Sequence, residues 1–258
     1  MTDSLTSPKP SSRTTLKDLF AFLLFPRQGV ERLAASGKPA WLMPMLVLTA
    51  LTLLQVTVSG YMRAHAAAQG QSALPAAAQW WTPEMQAKYM LGFQSSQEKA
   101  FVYILPAVGA LTGLWLSWII LSGLFHLTST LFGGRGSMGS AQNVVAWAGL
   151  PFALRDLLRV IFMVITRHAI VSTGLSGFVT GTTSGALFLA QMLAAVDLFF
   201  IWRALLLILG FRVVDNLPAR KAVAGVLIVL LLALLVQAGL GTLIANLTGK
   251  MMISSPLL

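Results

Sequence analysis

The sequence predicts an all-α, polytopic helical membrane protein with five transmembrane helices, its N-terminus in the cytoplasm and its C-terminus outside. Three observations carry that expectation. Hydrophobic residues make up 56% of the 258 residues and charged residues only 10%, whereas a soluble domain is about 25% charged. A soluble fold of this size has too little interior to hide so much apolar surface. The apolar residues gather in five runs, each long enough for the ~30 Å hydrocarbon core. Lys and Arg cluster in short flanks on one side of those runs, which is how orientation is encoded.

Residues 1–40 read as a basic cytoplasmic N-terminal segment. Residues 1 to about 13 are rich in Ser, Thr and Pro, the composition of a disordered tail. From Thr14 to Phe25, Leu16, Leu19, Phe20, Leu23 and Leu24 recur at helical spacing, with Lys17 and Asp18 on another face. That pattern suits an interfacial helix lying on the membrane, and equally the first turns of a helix packed on the protein. The run LFAFLLF is followed by Pro26, Arg27 and Glu31 rather than a small-residue cleavage site, so the segment is expected to be retained.

Residues 41–250 read as the membrane domain, with spans at about 41–61, 102–125, 143–166, 184–209 and 222–245. Trp41 and Tyr61 stand where interfacial aromatics are expected. Between the first two spans, Thr82-Pro83-Glu84 is a helix start: Thr at the cap, Pro at the first position, an acid in the first turn. Gly109, Gly113 and Ser117, and later Gly241, Ala245 and Gly249, form small-residue ridges that let another helix approach. The third span is either continuous or broken at Pro151. Residues 251–258 are a short tail.

Orientation follows from the cations. Lys9, Arg13, Lys17, Arg27, Arg32, Lys38, Arg135, Arg203, Arg212, Arg220 and Lys221 fall on one side. Only Arg63, Lys88, Lys99, Arg167 and Lys250 fall on the other, in longer segments. The net charge of +10 therefore points to anionic lipid, met through the basic N-terminal segment, and not to nucleic acid. The absence of cysteine excludes disulfides and thiol chemistry.

Most tempting motifs fail on context. Gly134-Arg135-Gly136-Ser137-Met138-Gly139 fits GxGxxG, but a dinucleotide fingerprint follows a β-strand, and here a span precedes it. Its remaining use is as a tight turn, or as a lipid-phosphate contact through Arg135 and the amides of Gly134 and Gly136. Gly174-Leu175-Ser176-Gly177 fits the GxSG of intramembrane serine proteases. That chemistry needs a histidine base on a later span, and His65, His126 and His168 all come earlier. No catalytic residue, cofactor site or metal site is expected. The feature hardest to dismiss is the charge in the spans: Arg155, Asp156 and Arg159 in the third and Asp197 in the fourth. Each costs about 2.5–3.5 kcal/mol at a helix centre on the insertion scale. They make either a structural ion-pair cluster or a polar site for a bound or transported partner. The spacing suggests that Asp156 serves Arg159 within its helix, leaving Arg155 to pair with Asp197.

Three stretches together resemble the Yip1 domain family: LKDLFAFLLFPRQGVERLAASGKPAWLMPML (Leu16 to Leu46), LFGGRGSMGSAQNVVAWAGLPFALRDLLRVIF (Leu131 to Phe162) and DLFFIWRALLLILGFRVVDNLPARKAVAGVLIVLLL (Asp197 to Leu232). The first is similar to the family's opening segment, the second to its glycine-bearing loop and Pro-containing third span, the third to its aliphatic-Trp run and the start of the fifth span. The resemblance implies five spans with the N-terminus inside. Eukaryotic members act in vesicle traffic, membrane shaping and Rab GTPase recruitment, but their long acidic N-terminal region, with its Asp-Leu-Tyr-Gly-like motif, is replaced here by a short basic one. The composition suggests a bacterial, inner-membrane member. The expected function is non-enzymatic organisation of lipid or partner proteins, with membrane-protein partners or a homo-oligomer as companions. The rivals are a small transporter or channel-like protein using the charges of the third and fourth spans, and an intramembrane enzyme.

Overall fold

A computed structural model of the chain describes residues 16–36, 38–68, 80–170, 173–180 and 183–253. The Ser/Thr/Pro-rich tail with Lys9 and Arg13, and residues 254–258, lie outside the described residues. Among those described there is no strand, and the helices are α1 (Leu16–Leu24), α2 (Pro26–Ser36), α3 (Leu42–Ala68), α4 (Pro83–Ser96), α5 (Leu105–Leu131), α6 (Met138–Trp147), α7 (Leu150–Thr166), α8 (Ser184–Ala194), α9 (Leu198–Val214) and α10 (Ala219–Ile253).

Among the described residues three helices are long and apolar enough to cross a membrane unaided: Leu42–Ala67, Ala100–Leu131 and Ala219–Asn246. The second of these enters through a π turn at Ala100–Ile104, before Pro106 in the first turn of α5. That explains why its apolar run exceeds one crossing. The fourth expected span is two helices, α8 and α9, bent by 61°. Counting that pair as one gives four candidates. The expected third span is also divided, into α6 and α7. The break falls at Ala148–Gly149, and Pro151 sits in the first turn of α7, where a missing N–H costs nothing. With 17 residues and three charges, α7 is neither long nor apolar enough to count alone.

Side-chain hydrogen bonds tie the helices together around α6 and where α5 meets α10. Asn143 of α6 accepts from Ala40 N at 2.8 Å and donates to Lys38 O at 2.9 Å, and Trp147 Nε1 donates to Ala40 O at 3.0 Å. These bonds satisfy backbone groups just before α3 that have no helical partner. Trp118 Nε1 of α5 donates to Gln142 O at 3.1 Å, and Lys221 Nζ of α10 to Phe132 O at 2.8 Å. Trp41 does more than mark an interface: its ring packs 4.7 Å from that of Trp118.

The buried core centres on α6, whose Ala141, Val144, Val145, Ala146 and Trp147 are sheathed by α5, α3, α9 and the α1–α2 pair. Gly210 of α9 faces Val144, so even a methyl there would force the two helices apart. The ridge glycines divide. Gly241 meets Gln191 of α8, whereas Gly109 and Gly113 face open space.

Candidate functional site

The intramembrane charges meet where α7 passes the bend between α8 and α9. Asp197 is the N-cap of α9, and its Oδ1 accepts from Phe200 N at 2.8 Å. A capping carboxylate suits the positive end of a helix. Its Oδ2 lies 3.5 Å from Arg155 NH1 and 3.7 Å from Arg159 NH2. Asp156 Oδ1 lies 3.3 Å from Arg155 Nε and 4.0 Å from Arg159 NH1. The four residues therefore form one network, with each arginine reaching both carboxylates, rather than two separate pairs. Arg155 does meet Asp197, and Asp156 does reach Arg159, but the shorter bond of Asp156 is to Arg155.

The bend itself is held by the GxSG stretch. Leu175 N donates to Leu193 O at 3.0 Å and to Val196 O at 3.2 Å, so one loop N–H bridges the carbonyls on the two sides of the break. Gly174 has φ +55°, and a Cβ there would meet three carbonyl oxygens of the bend at 2.6–2.7 Å. Ser176 spends its hydroxyl on Thr173 O at 2.7 Å, and no histidine takes part. The motif thus has a structural account.

One member of the seam was not singled out from sequence. Arg203 reads as a flank cation of the fourth span, yet it stands in the second turn of α9, with its guanidinium 5.0 Å from the Phe152 ring centre. Arg155 lies over the same ring at 4.3 Å. The signal was present: an arginine inside the apolar run LFFIWRALLLILG, with no acid at the spacing that would pair it.

The second expected site, the glycine loop, is 133–136, between α5 and α6. Gly134 N donates to Ser129 O at 2.8 Å and Arg135 N to Asp215 O at 3.4 Å, so two of its amides turn inward. The Ser129 hydroxyl donates to the Asp215 carboxylate, and a Cβ on Gly136 would strike that same carboxylate. The glycines thus let the loop close over a buried acid, which sequence reading missed. Burial pushes the Asp215 carboxyl above the usual range, opposed by the Ser129 hydrogen bond and the nearby His126 charge. Arg135 keeps an exposed side chain with no ion pair among the described residues. No group of His, Asp and Glu among the described residues could hold a metal ion.

A multi-pass bundle with two broken helices and a buried charge network at their crossing defines a polytopic α-helical membrane protein. A protein-family model described as the Yip1 domain matches residues 20–240, from α1 into α10. The chain belongs to the Yip1 domain family. No curated protein and no solved structure matches it.

Proposed function

We propose that this Yip1 domain protein is a non-enzymatic, five-span protein of the inner (cytoplasmic) membrane that organises membrane lipid, or partner proteins, through its spans and its basic N-terminal segment. In this reading α6 and α7 together make the third crossing, and the cation asymmetry sets the N-terminus inside. The observation that carries the lipid role is the α1–α2 hairpin. Leu19, Phe22 and Val30 dock it on the bundle, with Phe22 5.0 Å from the Trp147 ring. The opposite side leaves Phe20, Leu24 and Phe25 68%, 73% and 59% exposed, beside Lys17, Arg27 and Arg32. A docked helix with a bare apolar face and flanking cations suits the headgroup boundary of an anionic leaflet.

Transport through the charge network is the second reading, favoured by the broken α8–α9 pair, because irregular backbone at membrane depth usually lines a path. The mutual pairing of all four charges within 4.0 Å speaks for structure instead.

The test is the lipid that co-purifies with the full-length protein in a mild detergent. Anionic lipid should be enriched over the bulk membrane, and that enrichment should fall when Lys17, Arg27, Arg32 and Lys38 are changed to Gln. A lipid profile equal to the bulk membrane would remove the lipid-organising role.

A further inference from the structure

Arg203 has no acid. Its Nε is buried without a hydrogen-bond partner. Among the described residues its guanidinium joins none of the ion pairs. The charge that acts on it is that of Arg155, a like charge over the same Phe152 ring. Both aspartates of the seam are engaged elsewhere: Asp156 with Arg155 and Arg159, Asp197 with the same two and with Phe200 N. Three guanidiniums thus face two carboxylates, an excess of one positive charge. Buried donors without an acceptor are rare, and an uncompensated charge at membrane depth is costly.

We propose that Arg203, together with the N–H groups of Arg155 and Arg159 not used by the aspartates, binds a phosphate-class oxyanion, either the headgroup of an anionic lipid or a free phosphate. A singly charged phosphodiester would neutralise the seam, and its oxygens suit the planar fork of a guanidinium. The seam is not sealed. Side-chain exposure is 19% for Arg155, 20% for Arg159 and 16% for Asp197. Leu158, Ile161 and Phe162 of α7 stand exposed beside them as an apolar rim. The inference rests on the reading of the protein as one that meets lipid, but on residues separate from the α1–α2 hairpin. Loss of the lipid enrichment in the hairpin variant is therefore independent of the titration below.

The experiment uses the full-length protein in an uncharged detergent, with thermal unfolding followed by tryptophan fluorescence. Three additions are compared: dioctanoyl phosphatidylglycerol, dioctanoylglycerol as the phosphate-free control, and sodium phosphate at fixed ionic strength. The melting temperature should rise with the phospholipid and not with the diacylglycerol. Arg203→Met should melt higher than the native chain without ligand, because it removes an unpaired charge. It should also need about tenfold more phospholipid for the same rise, the scale of one lost charge-assisted hydrogen bond. A matching rise with sodium phosphate identifies a free oxyanion as the ligand, and a rise with phospholipid alone identifies the headgroup. No rise with either, an equal rise in both chains, or a ligand-free Arg203→Met that melts lower than the native chain overturns the proposal.

Discussion

Arg155 and Asp197 come from helices 42 positions apart in sequence and approach to 3.5 Å, at the centre of a network in which every charge has two partners. Removing one member strands the others in a poor solvent for charge. Arg155→Ala and Asp197→Ala should each lower the melting temperature in detergent. The double mutant should lose less than the sum, by a coupling of about 0.5–3 kcal/mol. Strict additivity in that cycle would show that the two side chains do not interact. Asp215 poses the opposite problem, since its charged form is the disfavoured one. A carboxyl whose folded pKa is raised contributes stability that is present below its unfolded pKa of about 3.9 and lost as pH rises through the folded value. Asp215→Asn keeps an acceptor for Ser129 without the charge. It should therefore raise the melting temperature at pH 7, with the gain shrinking towards pH 4. An equal gain at both pH values would mean that the Asp215 carboxylate is not destabilised by burial.

Helices α8 and α9 show how an element can be broken and still held. Leu175 N bridges the Leu193 and Val196 carbonyls on the two sides of the bend at 195–197, and Asp197 caps the next helix. Gly174 makes that plug fit, because its positive φ and the three oxygens around its Cα leave no place for a side chain. Gly174→Ala should destabilise by about 1–3 kcal/mol, the scale of a residue forced into a sparsely populated backbone region. Gly185→Ala, which meets open space, serves as the control and should be near neutral or better. Equal effects at the two glycines would dissociate the GxSG loop from the bend.

Across the whole molecule, Asn143 and Trp147 tie the middle and end of α6 to the backbone just before α3, Trp118 ties the middle of α5 to α6, and Lys221 ties the start of α10 to the end of α5. The proposed five-span topology would put the segment before α3 and the turn from α9 into α10 in the cytoplasm. A reporter active only in the cytoplasm should work at the N-terminus and in the loop between Asp215 and Pro218, and fail after Ile253. Activity after Ile253 would mean an even number of crossings. The α6–α7 pair would then be the first suspect, since its charges and its break make it the poorest inserter.

Composition and the run lengths were enough to determine a helical membrane protein, because so much apolar surface has no other solvent. The cap at Thr82, with Met85 N on its hydroxyl at 3.3 Å, was equally legible, because capping is local chemistry. That the charges would seek one another was readable, because a lone charge is costly in an apolar layer, but the sequence suggested two pairs where the structure has one network. What the sequence left undecided depended on contacts far apart in the chain. Pro151 marked a possible break, but its place at Ala148–Gly149 follows from α7 starting at Leu150 with Pro151 in its first turn. The run 184–209 reads as one helix, but it is two, with Asp197 capping the second and Leu175 bonded to carbonyls on both sides of the bend. The glycine loop read as a tight turn or a lipid-phosphate contact, and neither reading showed that it packs on Asp215, 79 residues on from Gly136. Arg203 looked like a flank cation because its depth is set by where α9 begins, and that start is fixed by the cap at Asp197. Hydrophobic pattern determines which residues leave water, whereas only tertiary packing decides which buried polar groups find one another.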